Sequence, residues 1–587
     1  MDTYSAPLPA GPATIPPAQP RRHDIADAPL ARAIVQAAIP LGILADDLFR
    51  RWGPSGLALP IWVGVVAITL LCLAWTAGRA VSREACAWLL AAVLFAAAGA
   101  WRDAEALRFF DFVVTVGALG MAAVALHDVR TAVFAQRLRD TVWGIGAMLI
   151  DVAAGIVPVI LRDAFPTHDR QRTRPLARRI VRGLVIAIPL VVIFGSLLVS
   201  ADPIFASLLP SLDFETVLSH TVIIGFFSWI VAGWARRGLL DRPAVTAPNG
   251  FPITLDRHDV TMALGTVLVL FATFMLTQLG WIFGGEAFLR ARTGLTAAAY
   301  ARTGFFQLVW VVLLVIPLLL ATRAALRDDV EAMRRHTVLA TPIVALVGTI
   351  MISAALRLRL YVQYYGLTID RLYAAVFMAW IAAVLVWLAV TVLRGRGRPF
   401  VAGAALSGLM TLGGLNIANP DAVVARVNIA RAAAAPRVVT ASDTTRADQA
   451  VDVLYLTTLS GDAMQFAVGA VLEPTSTPDG TPLRAFEDRD RCYAVRALIE
   501  QWGPASRRAK RYDEPGSWRS ATAGEIAGLA AVSARVSDLY AAERASCVAV
   551  RERENLEREQ AEREKAERAA RDARTGAPPA PAVPPQR

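Results

Sequence analysis

Residues 373–393, YAAVFMAWIAAVLVWLAVTVL, form an uninterrupted apolar stretch without a charged side chain. A helix needs about 20 mostly apolar residues to cross the hydrocarbon core of a bilayer, so this stretch is long enough. Similar stretches recur before residue 418. We therefore predict an all-α, polytopic helical membrane bundle of about eleven spans. The predicted spans are 57–77, 84–101, 109–127, 142–161, 180–200, 217–235, 260–283, 305–322, 337–357, 373–393 and 399–417.

An earlier apolar stretch, residues 33–48, is shorter than the others. Pro40 interrupts it, and Asp46 and Asp47 end it. Proline removes a backbone hydrogen bond inside a helix. We expect an interfacial or half-inserted helix here, and a twelfth span is the alternative.

The overall composition supports a membrane protein. The 587 residues are 55% hydrophobic and only 19% charged, with a mean hydropathy of +0.46. Soluble domains carry about 25% charged residues. This composition excludes a soluble enzyme, a disordered chain and a disulfide scaffold. The net charge of +11 is assigned to orientation in the membrane rather than to nucleic-acid binding, because no basic patch with interleaved aromatic residues is present.

Arginine is distributed unevenly between alternate loops. The richer set holds 18 arginines and the poorer set 6. Basic residues are in excess in cytoplasmic loops, so the richer set is assigned to the cytoplasm. The N-terminus is then cytoplasmic and the C-terminus periplasmic, although loop 128–141 carries three arginines on the outer side. The richer set is 162–182, 236–257, 323–336 and 394–398, and the poorer set is 201–216, 284–304 and 357–372.

The chain divides by composition into four regions. Residues 1–32, rich in proline and alanine, are expected to be a disordered cytoplasmic leader, and residues 33–417 the transmembrane domain. Residues 418–550 are expected to form a small helical extracytoplasmic domain in the periplasm. Residues 551–587 are read as a charged helical extension with a proline-rich end, because Leu556 is its only large apolar residue before that end.

The C-terminal region begins with a helix start signal. Asn419 can cap a helix, Pro420 suits its first turn, and Asp421 meets the positive end of the helix dipole. Residues 420–434 place Arg426 between apolar positions at helical spacing. This pattern predicts a helix along the outer membrane surface. Further helices are predicted at 448–458, 461–472, 488–502 and 523–573.

Two of the four cysteines, Cys492 and Cys547, lie in the C-terminal region. In an oxidising periplasm they would form a disulfide between the helix at 488–502 and the long C-terminal helix. Two buried free thiols are the alternative. No Cys-x-x-Cys or Cys/His cluster occurs, so neither a metal nor a cofactor is expected.

A single carboxylate, Asp151, lies near the middle of a predicted span. A charge inside a membrane costs about 2.5–3.5 kcal/mol on insertion scales and therefore needs a reason. Asp151 could relay protons or cations in a transporter, or it could pair with an arginine or a hydroxyl on another helix. Asp111 is discounted because it lies near a span start and can reach the interface.

The segment 353–373 is a second polar cluster, on the predicted outer side. It contains Arg357, Arg359, Tyr365, Asp370 and Arg371. One interpretation is Arg–Asp pairing with stacked tyrosines, and the other is an anionic lipid or substrate group. The acidic outer loop around Asp202 could attract cations or complete the charge asymmetry.

Four motifs, each at a predicted span boundary, resemble one group of bacterial multi-span inner-membrane proteins, catalogued as a domain of unknown function (the DUF4153/DUF4173 group). The resemblance covers most of residues 35–460, and the segment VDVLYLTTLSGDAMQFAV is also similar. It implies an inner-membrane protein without a known activity, cofactor or partner, and it supplies no catalytic residue. The motifs are SLLVSADPIF, YARTGFFQLVWV, ISAALRLRLYVQYYGLTIDRLYAAVFMAW and NPDAVVARVNIAR.

Three functional classes follow from these observations, and the usual catalytic motifs are absent. The first is a membrane protein that acts through envelope protein partners as a sensor or assembly factor. The second is a secondary transporter that uses Asp151. The third is a membrane enzyme on a lipid-linked substrate, with its site at 353–373 and Asp202. Membrane lipid is a partner in every case.

Overall fold

The computed structural model describes most of the chain from residue 27 to residue 575. Almost all of the described residues are helical, and no β-strand occurs among them. Ten of the described helices are long and apolar enough to cross a membrane, which confirms the predicted all-α polytopic bundle. The described ranges are 27–51, 53–127, 138–163, 214–240, 255–293, 305–326, 330–395, 399–433, 452–472 and 488–575, with a few isolated positions between them. The predicted span 180–200 lies outside the described ranges.

The membrane helices pack around two separate apolar cores. The first core is built from the helices before residue 241, with Ile34, Val63 and Leu70 among its buried side chains. α1 packs against α6 and α3 against α4 in this bundle. Its helices are α1 (Ala28–Phe49), α2 (Ala58–Thr76), α3 (Arg83–Trp101), α4 (Glu105–His127), α5 (Leu138–Ala154) and α6 (Phe214–Leu239).

The second core lies between helices that follow residue 256. Leu319, Ile350 and Leu388 are among its fully buried side chains. The last helix of this bundle also contacts α4 of the first, where Leu412 packs against Ala104 and Leu107. The helices are α7 (Arg257–Thr293), α8 (Phe305–Ala325), α9 (Val330–Tyr365), α10 (Ile369–Thr391) and α11 (Phe400–Ala418).

The first helix is longer than the sequence predicts. α1 begins at Ala28 with a proline in its first turn, a position that needs no backbone N–H, and it continues through Pro40 for 22 residues. Contacts with α6 bury one face of the helix, so tertiary packing outweighs the hydrogen bond that Pro40 cannot make. The expected short interfacial helix is therefore corrected to a helix of spanning length.

The predicted span 142–161 is broken near its middle. α5 ends at Ala154, and Gly155 follows with a φ of +59°, a value that glycine adopts without strain. A side chain at Gly155 would meet the indole of Trp229 on α6. A short helical turn, Ile156–Pro158, and a π-helical turn, Val159–Asp163, then follow. The helix is therefore interrupted at Gly155.

The C-terminal helices form a tail domain, defined here as residues 420–550, with a third apolar core. Leu456, Met464, Leu498 and Trp502 are fully buried in it. α18 continues beyond this core, and its described side chains from 551 to 567 are exposed. The helices are α12 (Pro420–Ala433), α13 (Val453–Thr457), α14 (Met464–Leu472), α15 (Asp488–Trp502), α16 (Arg507–Tyr512), α17 (Ala523–Ala534) and α18 (Val536–Thr575).

α12 occupies a different place from the one predicted. Its apolar residues Val424 and Ala425 are buried in the core of the tail domain, and the helix packs against α10 and α14. The expected helix on the membrane surface is thus the first helix of the tail domain, and it contacts the membrane bundle through α10. The amphipathic pattern correctly predicts a helix, but other helices of the tail domain, and not lipid, cover its residues Val424 and Ala425.

Candidate functional site

A cavity of about 1490 Å³ lies where the two membrane bundles meet the tail domain. Its walls come from the ends of α3 and α9, the starts of α2, α4 and α10, and the tail. We call it the junction cavity. Its apolar lining includes Leu59, Phe95, Phe109, Phe110 and Leu358. Its polar lining includes Asp103, Arg108, Asp111, Tyr361, Asp370, Arg371, Tyr373, Asp421, Tyr455, Ser460 and Arg508.

Arg102, in the three-residue connection between α3 and α4, ties both bundles to the tail. Its Nε donates to the backbone oxygen of Asn416 on α11 at 2.7 Å, and its Nη1 donates to Oδ1 of Asp462 in the tail at 3.3 Å. The guanidinium also lies 3.8 Å from the centre of the Trp101 ring. Arg102 and Asp462 are both buried. This ion pair therefore joins the two bodies away from water.

Asp103, the next residue, makes a reciprocal contact with the same tail segment. Its backbone N–H donates to Oδ2 of Asp462 at 2.7 Å, and its own Oδ2 accepts from the N–H of Gly461 at 2.9 Å. Thr522 donates to its Oδ1 at 3.3 Å. A side chain at Gly461 would collide with the backbone oxygen of Gly524, so only glycine allows this close approach.

The carboxylates around this contact are unusually buried. Burial raises the pKa of Asp103 above its ordinary value, and the nearby Glu525 carboxylate acts in the same direction. The Gly461 N–H and the guanidinium of Arg508, 3.8 Å away, oppose this shift. Burial likewise raises the pKa of Asp421, against the hydrogen bond that the Ser460 hydroxyl donates to it. These two acids can therefore hold protons at a pH where exposed aspartates have lost them.

Asp111, near the start of α4, is buried in the wall of the junction cavity. It is only 1% exposed, because α11 covers it. Nδ2 of Asn416 donates to its Oδ1 at 2.8 Å. Its Oδ2 and the hydroxyl of Tyr373 have no hydrogen-bond partner among the described residues. Both side chains line the cavity, so both can accept hydrogen bonds from a ligand.

The structure divides the predicted cluster at 353–373 between two faces. Arg371 and Asp370 line the junction cavity, and the Arg371 guanidinium lies 3.9 Å from the centre of the Tyr361 ring. Arg371 also donates to the backbone oxygen of Tyr365 at 3.1 Å. Arg357 is buried, whereas Arg359 is exposed. The stacking on tyrosine is thus present, but within the described residues Asp370 forms no ion pair with these arginines.

The predicted helix start at residues 419–421 forms a double cap. Asn419 adopts a left-handed φ of 58° at the end of α11, and its Oδ1 accepts from the N–H of Ala422 at 3.3 Å. Asp421 is buried in the cavity wall, which the cap pattern alone does not reveal. Arg426 lies outside the cavity lining, with its guanidinium 5.6 Å from the Phe466 ring centre.

Asp151 does not line the junction cavity and belongs to a separate cluster of ion pairs. Its Oδ1 accepts from Nη1 of Arg236 at 2.7 Å, and Arg237 lies 3.7 Å from its Oδ2. Asp163 binds the same Arg236 guanidinium at 2.6 Å. A continuous helix would place residues 151 and 163 about 18 Å apart, so the break at Gly155 brings the two acids together.

The remaining site predictions are placed as follows. Cys492 and Cys547 form a disulfide in the structure and join α15 to α18, with both residues buried. Asp202 lies outside the described residues. Within the described part of the chain, no group of three or more His, Cys, Asp or Glu side chains is arranged to hold a metal ion.

Sequence reasoning missed Asp103 and Asp462, the central pair of the junction. One signal was present, because Arg102 and Asp103 stand together in a very short connection directly after Trp101. Two neighbouring charged residues between two spans either face water or form ion pairs with another part of the chain. The sequence alone cannot show that its partner comes from Ser460-Gly461-Asp462, more than 350 residues later.

Chemically, the junction cavity combines two acids whose pKa burial raises, a stacked arginine and tyrosine hydroxyls beside apolar walls. Such a lining can bind an amphiphilic or charged ligand and exchange protons with it. Searches among curated proteins and among solved structures found no match to this chain. The family model described as "Domain of unknown function (DUF4153)" matches residues 85–467, which include the α3–α4 connection, Asp111, Asp421 and Asp462. The chain therefore belongs to the DUF4153 family of domains of unknown function.

Proposed function

We propose that this protein is a bacterial inner-membrane sensor that binds a ligand in the junction cavity and signals through its tail domain to an envelope protein partner. The arginine distribution supports a cytoplasmic N-terminus and a periplasmic tail. The described part of α18 extends beyond the tail core as an exposed charged helix, which is a suitable contact for a partner.

One observation carries the proposal: Asp103 lines the cavity and also docks the tail domain. Its Oδ2 accepts the Gly461 N–H at 2.9 Å, while the same carboxylate faces the cavity beside Arg508. A ligand that attracts or protonates Asp103 changes the strength of that hydrogen bond. Occupancy of the cavity and docking of the tail are therefore coupled through one side chain.

The two other functional classes have less support. A transporter that uses Asp151 needs a carboxylate that can exchange its partner, but Arg236 and Arg237 already hold this one. A membrane enzyme on a lipid-linked substrate is favoured only by the apolar side chains in the cavity lining. Both classes become outcomes of the experiment below.

The test is to lock the tail onto the membrane bundle in living cells. Arg51 and Glu514 form an exposed ion pair across the junction, with 2.6 Å between Nη2 and Oε2. Replacing both by cysteine, in a chain whose free Cys72 and Cys86 are alanine, allows cross-linking by a short bis-maleimide. The matched control is a cysteine pair at Arg496 and Glu543, which bridges two helices inside the tail at 3.3 Å.

The readout is the genome-wide transcript response to an envelope detergent, compared with that of a deletion strain. A sensor predicts that the junction cross-link abolishes the response that depends on this protein, while the control cross-link preserves it. A locked chain that responds like the control contradicts the proposal. A transporter would be favoured instead if Asp151→Asn abolished the response in a normally folded chain and the junction cross-link did not change it. An enzyme would be favoured if Asp111→Asn abolished the response and the junction cross-link did not change it.

A further inference from the structure

A groove of about 800 Å³ runs along α9 and α10 and is open to the protein surface. Its lining is almost entirely apolar, and Ile352, Val386 and Val390 in it are exposed on the protein surface. A Cβ built at Gly348 meets no atom within 4 Å, which shows that the groove is open there. The lining of α9 extends from residue 344 to residue 363, about 28 Å of helix. That length is close to the roughly 30 Å thickness of a hydrocarbon core.

The groove ends in a cluster of arginines at the membrane face that carries the tail. Arg359 and Arg371 line this end, and Arg431 of α12 lies beside Arg371. Their acceptors within the described residues are backbone oxygens. Arg371 donates to Tyr365 at 3.1 Å, and Arg431 to Gln363 at 3.5 Å.

Among the described residues, no carboxylate lines the groove beside these arginines. None of Arg359, Arg371 and Arg431 forms an ion pair there. Asp370, the acid nearest in sequence, lines the junction cavity and not the groove. Burial and the charge of Arg371 lower the pKa of Arg431, as expected where like charges are crowded without a counter-ion. The arginines suit the anionic head group of an amphiphile, and the apolar groove suits its hydrocarbon chain.

We propose that this groove binds an anionic phospholipid, with an acyl chain between α9 and α10 and its phosphate at Arg359 and Arg371. The apolar length distinguishes a lipid from a free phosphate, which could use only the arginines. Arg371 also lines the junction cavity, so a lipid at this position would contact a wall of that cavity from the outside. The site does not depend on the proposed sensor function.

The experiment is native mass spectrometry of the full chain, released from nanodiscs that contain equal amounts of phosphatidylglycerol and phosphatidylcholine. The wild type is expected to retain phosphatidylglycerol preferentially. Arg359→Gln should reduce that preference about fivefold, because one basic residue near a membrane surface contributes about that factor. Arg334→Gln, on an exposed arginine near the opposite end of the same helix, is the matched control for loss of one basic residue and should reduce the preference clearly less than Arg359→Gln does.

Gly348→Leu tests the acyl-chain part of the site, because a Cβ at this groove position meets no atom within 4 Å. It should reduce retention of the lipid while leaving the arginines in place. Equal retention of the two lipids, or equal effects of Arg359→Gln and Arg334→Gln, would overturn the proposal. The proposal would also be overturned if Gly348→Leu left the lipid preference unchanged and millimolar inorganic phosphate abolished that preference. The arginines would then be a site for free phosphate.

Discussion

The backbone N–H of Asp103 and the carboxylate of Asp462 lie 2.7 Å apart, although 359 residues separate them in sequence. The reverse bond, from the N–H of Gly461 to the Asp103 carboxylate, makes the contact reciprocal. One end of this pair lies between two membrane spans and the other in the tail domain. The contact therefore fixes the orientation of the tail over the junction cavity.

Replacing Asp462 by asparagine should release the tail. Arg102 would keep a full charge in a buried position without its carboxylate, and breaking one side of such a pair costs about 3 kcal/mol or more. Hydrogen exchange should show faster exchange of the Asp103 and Gly461 amides. Asp47→Asn is the matched control, because Asp47 pairs with Arg519 of the tail but is 60% exposed. It should cost about 1 kcal/mol or less. Equal losses of stability in the two variants would contradict the conclusion that Asp462 holds the tail on the membrane bundle.

Docking of the tail should weaken as the pH rises above about 4. Burial first, and then neighbouring carboxylates, raise the pKa of Asp103 and Asp421 above the ordinary 3.8. A carboxyl whose pKa is raised on folding contributes stability that is fully present below the unfolded pKa. That contribution is lost as the pH rises through the folded pKa. Between these two values the unfolded chain loses its proton first.

The measurement is the exchange rate of the Gly461 amide between pH 4 and pH 8, corrected for intrinsic exchange. Asp103→Asn, which cannot ionise, should reduce the pH dependence. The described charged side chains that still face this contact from the tail are Asp421, Asp462, Arg508 and Glu525, so the part of the slope that belongs to Asp421 should remain. Asp47→Asn should retain the slope of the wild type. A slope that is unchanged in Asp103→Asn would show that another group titrates.

The architecture of the membrane bundle followed from the sequence because it depends on composition. A run such as 373–393 has one stable environment, and α10, Ile369–Thr391, lies nearly where predicted. Local signals were equally informative in the tail, where α15 has the predicted bounds, Asp488–Trp502. Length, hydropathy and helix capping act over a few residues, so a single sequence contains them.

The candidate site followed only in part, because it depends on contacts between distant residues. Arg371 and Asp421 were singled out for charge and capping, and the structure places both in the cavity wall. Asp111 is discounted in the sequence because it lies near a span start, and nothing local shows that Asn416 of α11 donates to it. Asp151 was placed in an unbroken span, since the effect of Gly155 depends on the approach of Trp229. Tertiary partners decided each of these cases.

Asp151→Asn should destabilise the first bundle. Arg236 would keep Asp163, but buried Arg237 would lose its carboxylate neighbour at 3.7 Å. A loss of about 2–3 kcal/mol is expected, within the usual range for an unpaired buried charge. The additional change Arg237→Gln should restore part of that loss. Thermal unfolding in detergent of the two single variants and the double variant gives the coupling energy. Additive losses would show that the two side chains act independently.

The disulfide predicts a definite labelling pattern. Cys492 and Cys547 should resist maleimide in denaturing detergent until reductant is added, whereas the free Cys72 and Cys86 should react at once. Mass spectrometry should therefore count two labels before reduction and four after it. Replacing both bonded cysteines by serine should destabilise the tail by about 4 kcal/mol, since the bond closes a loop of 55 residues. Four labels without reductant would refute the bond.

Orientation in the membrane connects the labelling pattern to the proposed function. If the tail is periplasmic, a reporter enzyme that is active only in the cytosol should be inactive when fused after Ala450. The same reporter should be active when it is fused within the arginine-rich loop 323–336, which provides the control in the same chain. The physical reason is that basic loops resist translocation, and loop 323–336 carries four arginines. An active reporter at Ala450 would place the tail in the cytosol and invert the assignment. An oxidising compartment could then no longer account for a bond between Cys492 and Cys547.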